Sequence, residues 1–180
     1  MRFTLAAMAS PGRDIKLSES RIEGYRNFGT KLWNAARYCE MKSCTPPESF
    51  DVNAIELPLN QWIIDQLAQT QNKLDKAFAN YRFDEIAEIL YHFVWNVFCD
   101  WYLEFTKPLL NEERLGSAEA KETQATIGWV LQQILVLLNP VMPYITESLN
   151  KEFHGAGRRL LITSAWPDLQ VDYAAARNEV

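Results

Sequence analysis

Histidine, cysteine and glycine are scarce in this 180-residue sequence, at two, three and seven residues, and each scarcity removes a class of function. Three cysteines, an odd number, cannot close a disulfide framework and point to a reducing, cytoplasmic setting. Cys39 and Cys44 have no second cysteine pair with which to complete a zinc site. Seven Gly and eight Pro are too few for a collagenous, linker-like or mucin-like chain. The sequence has no Gly-x-x-x-x-Gly-Lys phosphate loop, no Gly-x-Ser-x-Gly elbow and no His-Glu-x-x-His, so nothing in it suggests a reaction or a bound cofactor. A secretory leader is not visible either. The most apolar stretch, Trp129 to Ile145, is interrupted by Gln132, Gln133, Asn139, Pro140 and Pro143 and is too short to span a bilayer, so no membrane is expected as partner. What remains is 48% hydrophobic and 23% charged, the makeup of a soluble globular chain long enough to bury a core without disulfide or metal.

A net charge of −5 would by itself argue against nucleic acid. The charge is unevenly spread, however. Residues 1–42 carry Arg2, Arg13, Lys16, Arg21, Arg26, Lys31, Arg37 and Lys42 against Asp14, Glu19, Glu23 and Glu40, a balance of +4 set against −9 in the remainder. Such an asymmetry points to a partner of opposite charge, although a solvated helical surface can also collect cations by chance.

The pattern is helical nearly throughout. Arg2 to Ala9 resembles the tail of a helix, ended by Pro11-Gly12. Ser20 and Glu23 have capping-box spacing and predict a helix from there to about Lys42, ahead of Pro46-Pro47. Pro58 suits the first turn of a second long helix that reaches Asn80. Asp84 is expected to cap a third, apolar over much of its circumference through Phe93, Val97, Phe98 and Trp101, and therefore central. Helices over about 118–138 and 143–153 follow, separated at Pro140. Leu160 to Ile162 is the one plausible short strand. One strand cannot make a sheet, so the expected fold is all-α, an antiparallel helical bundle.

The second helix is the informative one. At about 100° per residue, Ile22, Tyr25, Phe28, Gly29, Leu32, Trp33, Ala36 and Cys39 share an arc that should face the core. The opposite arc carries Arg26, Asn27, Lys31, Asn34, Arg37 and Tyr38. Cations that track phosphates, amides that read base edges and an aromatic that stacks are together the equipment for single-stranded nucleic acid. A solvated face with one stray tyrosine gives the same pattern. A rival lies in the third helix, where Glu85, Glu88, His92, Asn96 and Asp100 form a polar line. Di-iron bundles use Glu-x-x-His pairs, but Glu88 and His92 are four apart and the other histidine is His154, so a solvated stripe is expected and no metal.

Several runs carry a family resemblance. Gly12-Arg13-Asp14-Ile15-Lys16, the long run Tyr25 to Tyr38, Tyr81-Arg82-Phe83-Asp84-Glu85, Phe98 to Glu104 with Lys107-Pro108, Asn139 to Glu147, and Trp166-Pro167 occur in the order found in valyl-tRNA synthetases. The chain resembles their anticodon-binding domain over nearly its whole length. The last third is shared with the isoleucyl, leucyl and methionyl enzymes, and the valyl likeness rests on the first third and on Cys99 to Glu104. The resemblance implies that a helix bearing Lys31, Asn34, Arg37 and Tyr38, with Arg26 beside them, reads the anticodon loop of a valine-specific tRNA. Arg37 would bond base or phosphate, Tyr38 would stack, and Arg13 and Lys16 would touch the tRNA backbone near the catalytic domain of the same polypeptide.

It also implies a division into 1–17 as the junction with that catalytic domain, 18–154 as the bundle, and 155–180 as a closing segment. The HIGH and KMSKS motifs that the family's ATP- and Mg-dependent chemistry needs are missing, so the chain is expected to be an excised domain, inactive alone and without a cofactor of its own. Three positions depart from the family pattern: Thr30 for Asn beside the RNA face, and Asn139 for His and Asn150 for Trp in the closing part. The alternative is a helical protein-interaction module that derives from such a domain and no longer binds RNA. RNA binding asks that Arg37 and Tyr38 be exposed together, an interaction module for an exposed apolar patch of several hundred Å².

Overall fold

A computed structural model describes residues 1–9, 14, 19–154, 159–169, 171 and 173, and these form an up-and-down bundle of helices. In chain order they are α1 (Arg2–Met8), α2 (Glu19–Met41), α3 (Pro58–Ala79), α4 (Phe83–His92), α5 (Leu103–Thr106), α6 (Ala118–Leu138) and α7 (Pro143–His154). A π-helical stretch, Phe93–Tyr102, joins α4 to α5 without a break, so the three make one central rod. This rod runs alongside α2 in the same direction: Phe28 packs on Tyr91 at 5.0 Å between ring centroids, and fourteen residues further on Lys42 Nζ reaches Leu110 O at 3.0 Å. Helix α3 runs the other way, its Asn60 meeting Tyr102. So does α6, whose Gln124 bonds Lys42 O, whereas α7 begins beside Gly29 and ends beside Glu40. Consecutive long helices thus alternate in direction, an antiparallel bundle. Helix α1 closes one end, with Phe3 5.1 Å from both Tyr25 and Phe28.

The ends of these helices follow local chemistry. At the C-terminus of α2, Ser43 takes φ 55° and Cys44 N–H closes back on Cys39 O at 2.8 Å. The α3–α4 turn repeats the device, with Tyr81 at φ 55° and Arg82 N–H on Ala77 O at 2.9 Å. Both are left-handed caps that satisfy a carbonyl left open by the helix end. The expected caps at the other ends differ. Ser20 already lies inside α2, which begins at Glu19, so the capping box does not start the helix. Arg82, not Asp84, is the N-cap of α4; its guanidinium instead bonds Asp84 at 2.8 and 3.0 Å and Glu85 at 2.9 Å, and holds the Asp84 carboxyl below its usual range.

The π stretch alters the core. An α-helical period places Trp101 inward with Val94 and Phe98; i→i+5 bonding adds a residue to each turn. Tyr102 is therefore fully buried, and Trp101, expected on the apolar face, is 56% exposed. Tyr102 Oη donates to Asn60 Oδ1 at 2.8 Å, and Asn60 Nδ2 reaches Glu122 Oε1 at 2.9 Å and Thr123 Oγ1 at 3.2 Å. The Glu122 carboxylate also accepts Glu56 N–H and Leu57 N–H, at 3.1 and 3.0 Å, as the chain enters α3. One polar cluster therefore ties the central rod, α3 and α6 together.

The C-terminal part corrects a second expectation. Leu161–Thr163 is a 3-10 turn, and no strand occurs among the described residues. With no partner to complete a ladder, this segment is held by side chains: Ile162 N–H bonds Glu147, Trp166 Nε1 bonds Asp75 at 2.8 Å, and Leu169 N–H bonds Gln71 at 3.1 Å. Asn139 and Asn150, two of the departures from the family pattern, are buried there; Asn139 Nδ2 bonds Thr146 Oγ1 at 3.0 Å and Asn150 Nδ2 bonds Arg159 O at 3.3 Å. No helix among the described residues is long and apolar enough to cross a membrane.

Two substitutions test this packing. A Cβ on Gly128 would lie 2.5 Å from the Thr45 carbonyl carbon and 2.6 Å from Pro46 N, backbone atoms that cannot swing away as a side chain can. Gly128→Ala should cost at least ~1–3 kcal/mol in a urea melt, despite alanine's better helix propensity. Tyr102→Phe leaves Asn60 Oδ1 buried without a donor and should cost ~1–3 kcal/mol, with the helical circular dichroism unchanged.

Candidate nucleic-acid interface

Helix α2 turns one side to the core and the other to solvent. Phe28, Leu32, Ala35, Ala36 and Cys39 are its buried residues, so the burial stripe is centred on Leu32 and Cys39. Arg26, Thr30, Asn34 and Arg37 lie opposite, all exposed. Arg26 and Arg37 are eleven residues apart, almost a whole number of turns, so both guanidinium groups rise from one ridge about 16 Å apart along the axis. Neither makes an ion pair among the described residues, although Glu23 and Glu40 stand one turn away on the same helix. Thr30, the third departure from the family pattern, turns its hydroxyl back onto Arg26 O at 3.2 Å.

Lys31 and Tyr38 stand apart from that ridge, on the flank that the central rod covers. Lys31 Nζ is paired with the Asp100 carboxylate and sits 4.3 Å from the centre of the Trp95 ring. Its charge is already engaged by a carboxylate and by the electron-rich face of an indole. Tyr38 is half-buried against the core, with its hydroxyl inside and without a hydrogen-bond partner. Burial pushes the phenol up to about 12, Cys44, Cys39 and Glu104 add to the shift, and the Thr106 hydroxyl, near the phenol but short of a hydrogen bond of good geometry, offsets part of it. Arg37 and Tyr38 are therefore not exposed together: the ridge carries the arginine, and the tyrosine is wedged against the end of the rod. Arg13 and Lys16 lie outside the described residues.

Trp33 is the aromatic that the wheel misplaced. Leu32 and Trp33 are neighbours, about 100° apart, and only one of them can point at the centre of the core. Leu32 does, and Trp33 is 37% exposed. It stands between two grooves along the seam of α2 and α7. One, of about 580 Å³, is lined by Phe3, Ile22, Tyr25, Gly29, Met142 and Ile145, with Arg26 at its edge. The other, of about 220 Å³, is lined by Ala36, Arg37, Glu40, Leu149, Glu152 and Phe153. An exposed aromatic pair, Trp101 and Phe105 with ring centroids 5.5 Å apart, projects from the central rod beside Asp100. Its sequence signal was the crowding of six aromatics between Phe93 and Phe105, more than one face of a helix can bury. Among the described residues no three His, Cys, Asp or Glu side chains gather in a way that could hold a metal ion.

Comparison with known proteins places this geometry in a family. The family described as anticodon-binding domain of tRNA ligase matches residues 60–180, from α3 onward. The valine–tRNA ligase of Caulobacter vibrioides is 50% identical over 182 aligned residues, which take in 99% of this chain and 20% of that protein. Those of Zymomonas mobilis and Rhizobium meliloti are 51% and 46% identical, over 93% and 100% of this chain and 19% of each relative. The chain thus spans about a fifth of the length of these relatives. Helix α2, which carries the ridge, lies ahead of the family match and inside the alignment with the relatives that cover essentially the whole chain.

The half-buried tyrosine gives a pH signature. Tyr38 is raised from 10.0 to about 12 in the folded chain, and Cys44 and Cys99 from 9.0 to about 12, each chiefly through burial. The unfolded chain loses these protons first, so their contribution to stability is complete below pH 9 and disappears as the pH rises toward 12. Urea melts at stepped alkaline pH should show this fall. In Tyr38→Phe, which removes an unpartnered hydroxyl and keeps the ring, the fall above pH 10 should be shallower.

Proposed function

This chain belongs to the anticodon-binding domain family of tRNA ligases, and we propose that it binds the anticodon stem-loop of a valine-accepting tRNA through the solvent ridge of α2. The observation that carries this is the ridge itself, where Arg26, Asn34 and Arg37 stand unpaired on a helix that the bundle holds rigidly by its opposite face. Two guanidinium groups on one line can follow a phosphate backbone, and an amide between them can read a base edge. Lys31 joins this surface only where its pair with Asp100 is removed, and Tyr38 offers the part of its ring that the core leaves uncovered. Arg13 and Lys16, which lie outside the described residues, are proposed as contacts to the tRNA backbone on the strength of the family resemblance. Valine attachment, with its ATP and Mg, is the work of a catalytic domain in the same cytoplasmic polypeptide, in keeping with relatives five times as long. Nothing in the ridge performs chemistry; its task is to hold RNA.

Titration against an isolated anticodon stem-loop at several salt concentrations tests this. Arg26→Ala and Arg37→Ala should each flatten the slope of log K against log salt by about 0.7 where the lost contact is to a phosphate of single-stranded RNA. Lys31→Ala should leave the slope nearly unchanged, and Asp100→Asn, which frees the ammonium, should steepen it by about the same 0.7. Stem-loop binding that is indifferent to Arg26→Ala, Arg37→Ala and the double variant would overturn the assignment of the ridge.

A further inference from the structure

We propose that the smaller groove between α2 and α7 is a pocket for a single unstacked nucleobase that carries an exocyclic amine. This rests on the reading of α2 as the RNA-facing helix and goes beyond it, because α7 then contributes to recognition as well. The groove begins where the ridge does, since Arg37 belongs to both. Its floor is made by buried Ala36 and Leu149, and its sides by the Trp33 indole and the half-buried Phe153 ring. At about 220 Å³ it would hold some seven waters at ~30 Å³ each, room for one flat ring system and not for a base pair. An apolar slot with an indole on one side matches the way unstacked bases are held in protein clefts.

The rim decides which ligand fits. Glu40 from α2 and Glu152 from α7 supply carboxylate acceptors, and Arg37 supplies the donors; all three are exposed and none of their side chains makes a hydrogen bond or ion pair among the described residues. Two carboxylates to one guanidinium make the groove itself a poor phosphate site, so a phosphate meets Arg37 from the ridge side, outside the groove. They also leave a cation such as a lysine or arginine side chain facing Arg37. A neutral ring avoids both repulsions. Carboxylates accept hydrogen bonds from an exocyclic amine, as acidic side chains do from cytosine N4, and a guanidinium donates to ring nitrogens or carbonyl oxygens. Adenine, cytosine and guanine present both kinds of edge. Uracil has no amine, so a carboxylate placed against it would meet a carbonyl oxygen.

The test is a base scan on the 180-residue chain. Stem-loops in which each loop nucleotide in turn is replaced by uridine, or by an abasic site, are titrated against wild type, Glu40→Gln, Glu152→Gln and the double variant, with circular dichroism melts to show that each is folded. The expected result for wild type is one loop position where uridine weakens binding by about 5- to 100-fold. In the double Gln variant that discrimination should shrink to within about threefold, while affinity for the parent loop holds or rises as negative charge is removed. Trp33→Phe should weaken binding of every base at that position and leave the uridine ratio intact.

A flat uridine scan, or discrimination that survives in the double variant, would overturn the pocket while binding that still depends on Arg26 and Arg37 keeps the anticodon reading. Absence of stem-loop binding at low salt would remove both. Binding of a hepta-arginine peptide that depends on Glu40 and Glu152, together with a flat scan, would assign the groove to a protein partner instead.

Discussion

The bundle depends on one hydrogen-bond relay, from Tyr102 through Asn60 to Glu122 and Thr123. Its members come from the central rod, α3 and α6, and Tyr102, Asn60 and Thr123 are fully buried, where a missing partner is expensive. Hydrophobic contact alone would let α3 and α6 slide against the central rod by a turn with little loss. A relay of directional bonds permits one register. That register places Pro58 and the entry to α3 under the Glu122 carboxylate, and so fixes where α3 begins.

Fixing the rod also fixes what lies along α2. The rod runs parallel to α2, so its charged and aromatic residues meet α2 in sequence: Tyr91 and Trp95 at Phe28, Asp100 at Lys31, and Glu104 near Tyr38. This flank is therefore occupied by intramolecular partners before any ligand arrives. The opposite flank, toward α7, is not, and there Trp33 and Arg37 remain open. The side of α2 that can recognise something is thus decided by its neighbours as much as by its own sequence. The larger apolar groove beside Trp33 lies at the end of the domain that α1 closes.

Much of this was legible in the sequence, and the failures have physical causes. The all-helical class, the ends of α3, α6 and α7, and the basic face of α2 followed from periodicity, prolines and charge. In the central rod a 3.6-residue period fails through Phe93–Tyr102, where the backbone is π-helical, so Trp101 faces water and Tyr102 fills the core. Leu160 to Ile162 has strand-like residues but nothing to pair with, so tertiary bonds to Glu147 decided its shape. Lys31 and Tyr38 sit on the polar arc of the wheel, but a wheel knows nothing of Asp100 or Glu104, sixty residues and more along the chain. Trp33 failed for a related reason: adjacent large apolar residues compete for one inward position, and the sequence does not say which wins.

The π stretch also bears on how the chain tolerates changes in its length. A helix wound i→i+5 over ten residues holds more chain per turn than the α-helix on either side of it, so it stores residues without breaking the rod. Losing one of them would let the backbone relax to ordinary α winding, with both flanking segments still helical. The rod would survive, but everything beyond the deletion would turn by most of a residue's angle. Trp101 would swing toward the core, the Tyr102 hydroxyl would leave Asn60, and Asp100 would leave Lys31. The chain count of this stretch is therefore a gearing between two halves of one helix, and its setting determines which of two neighbouring aromatics faces water.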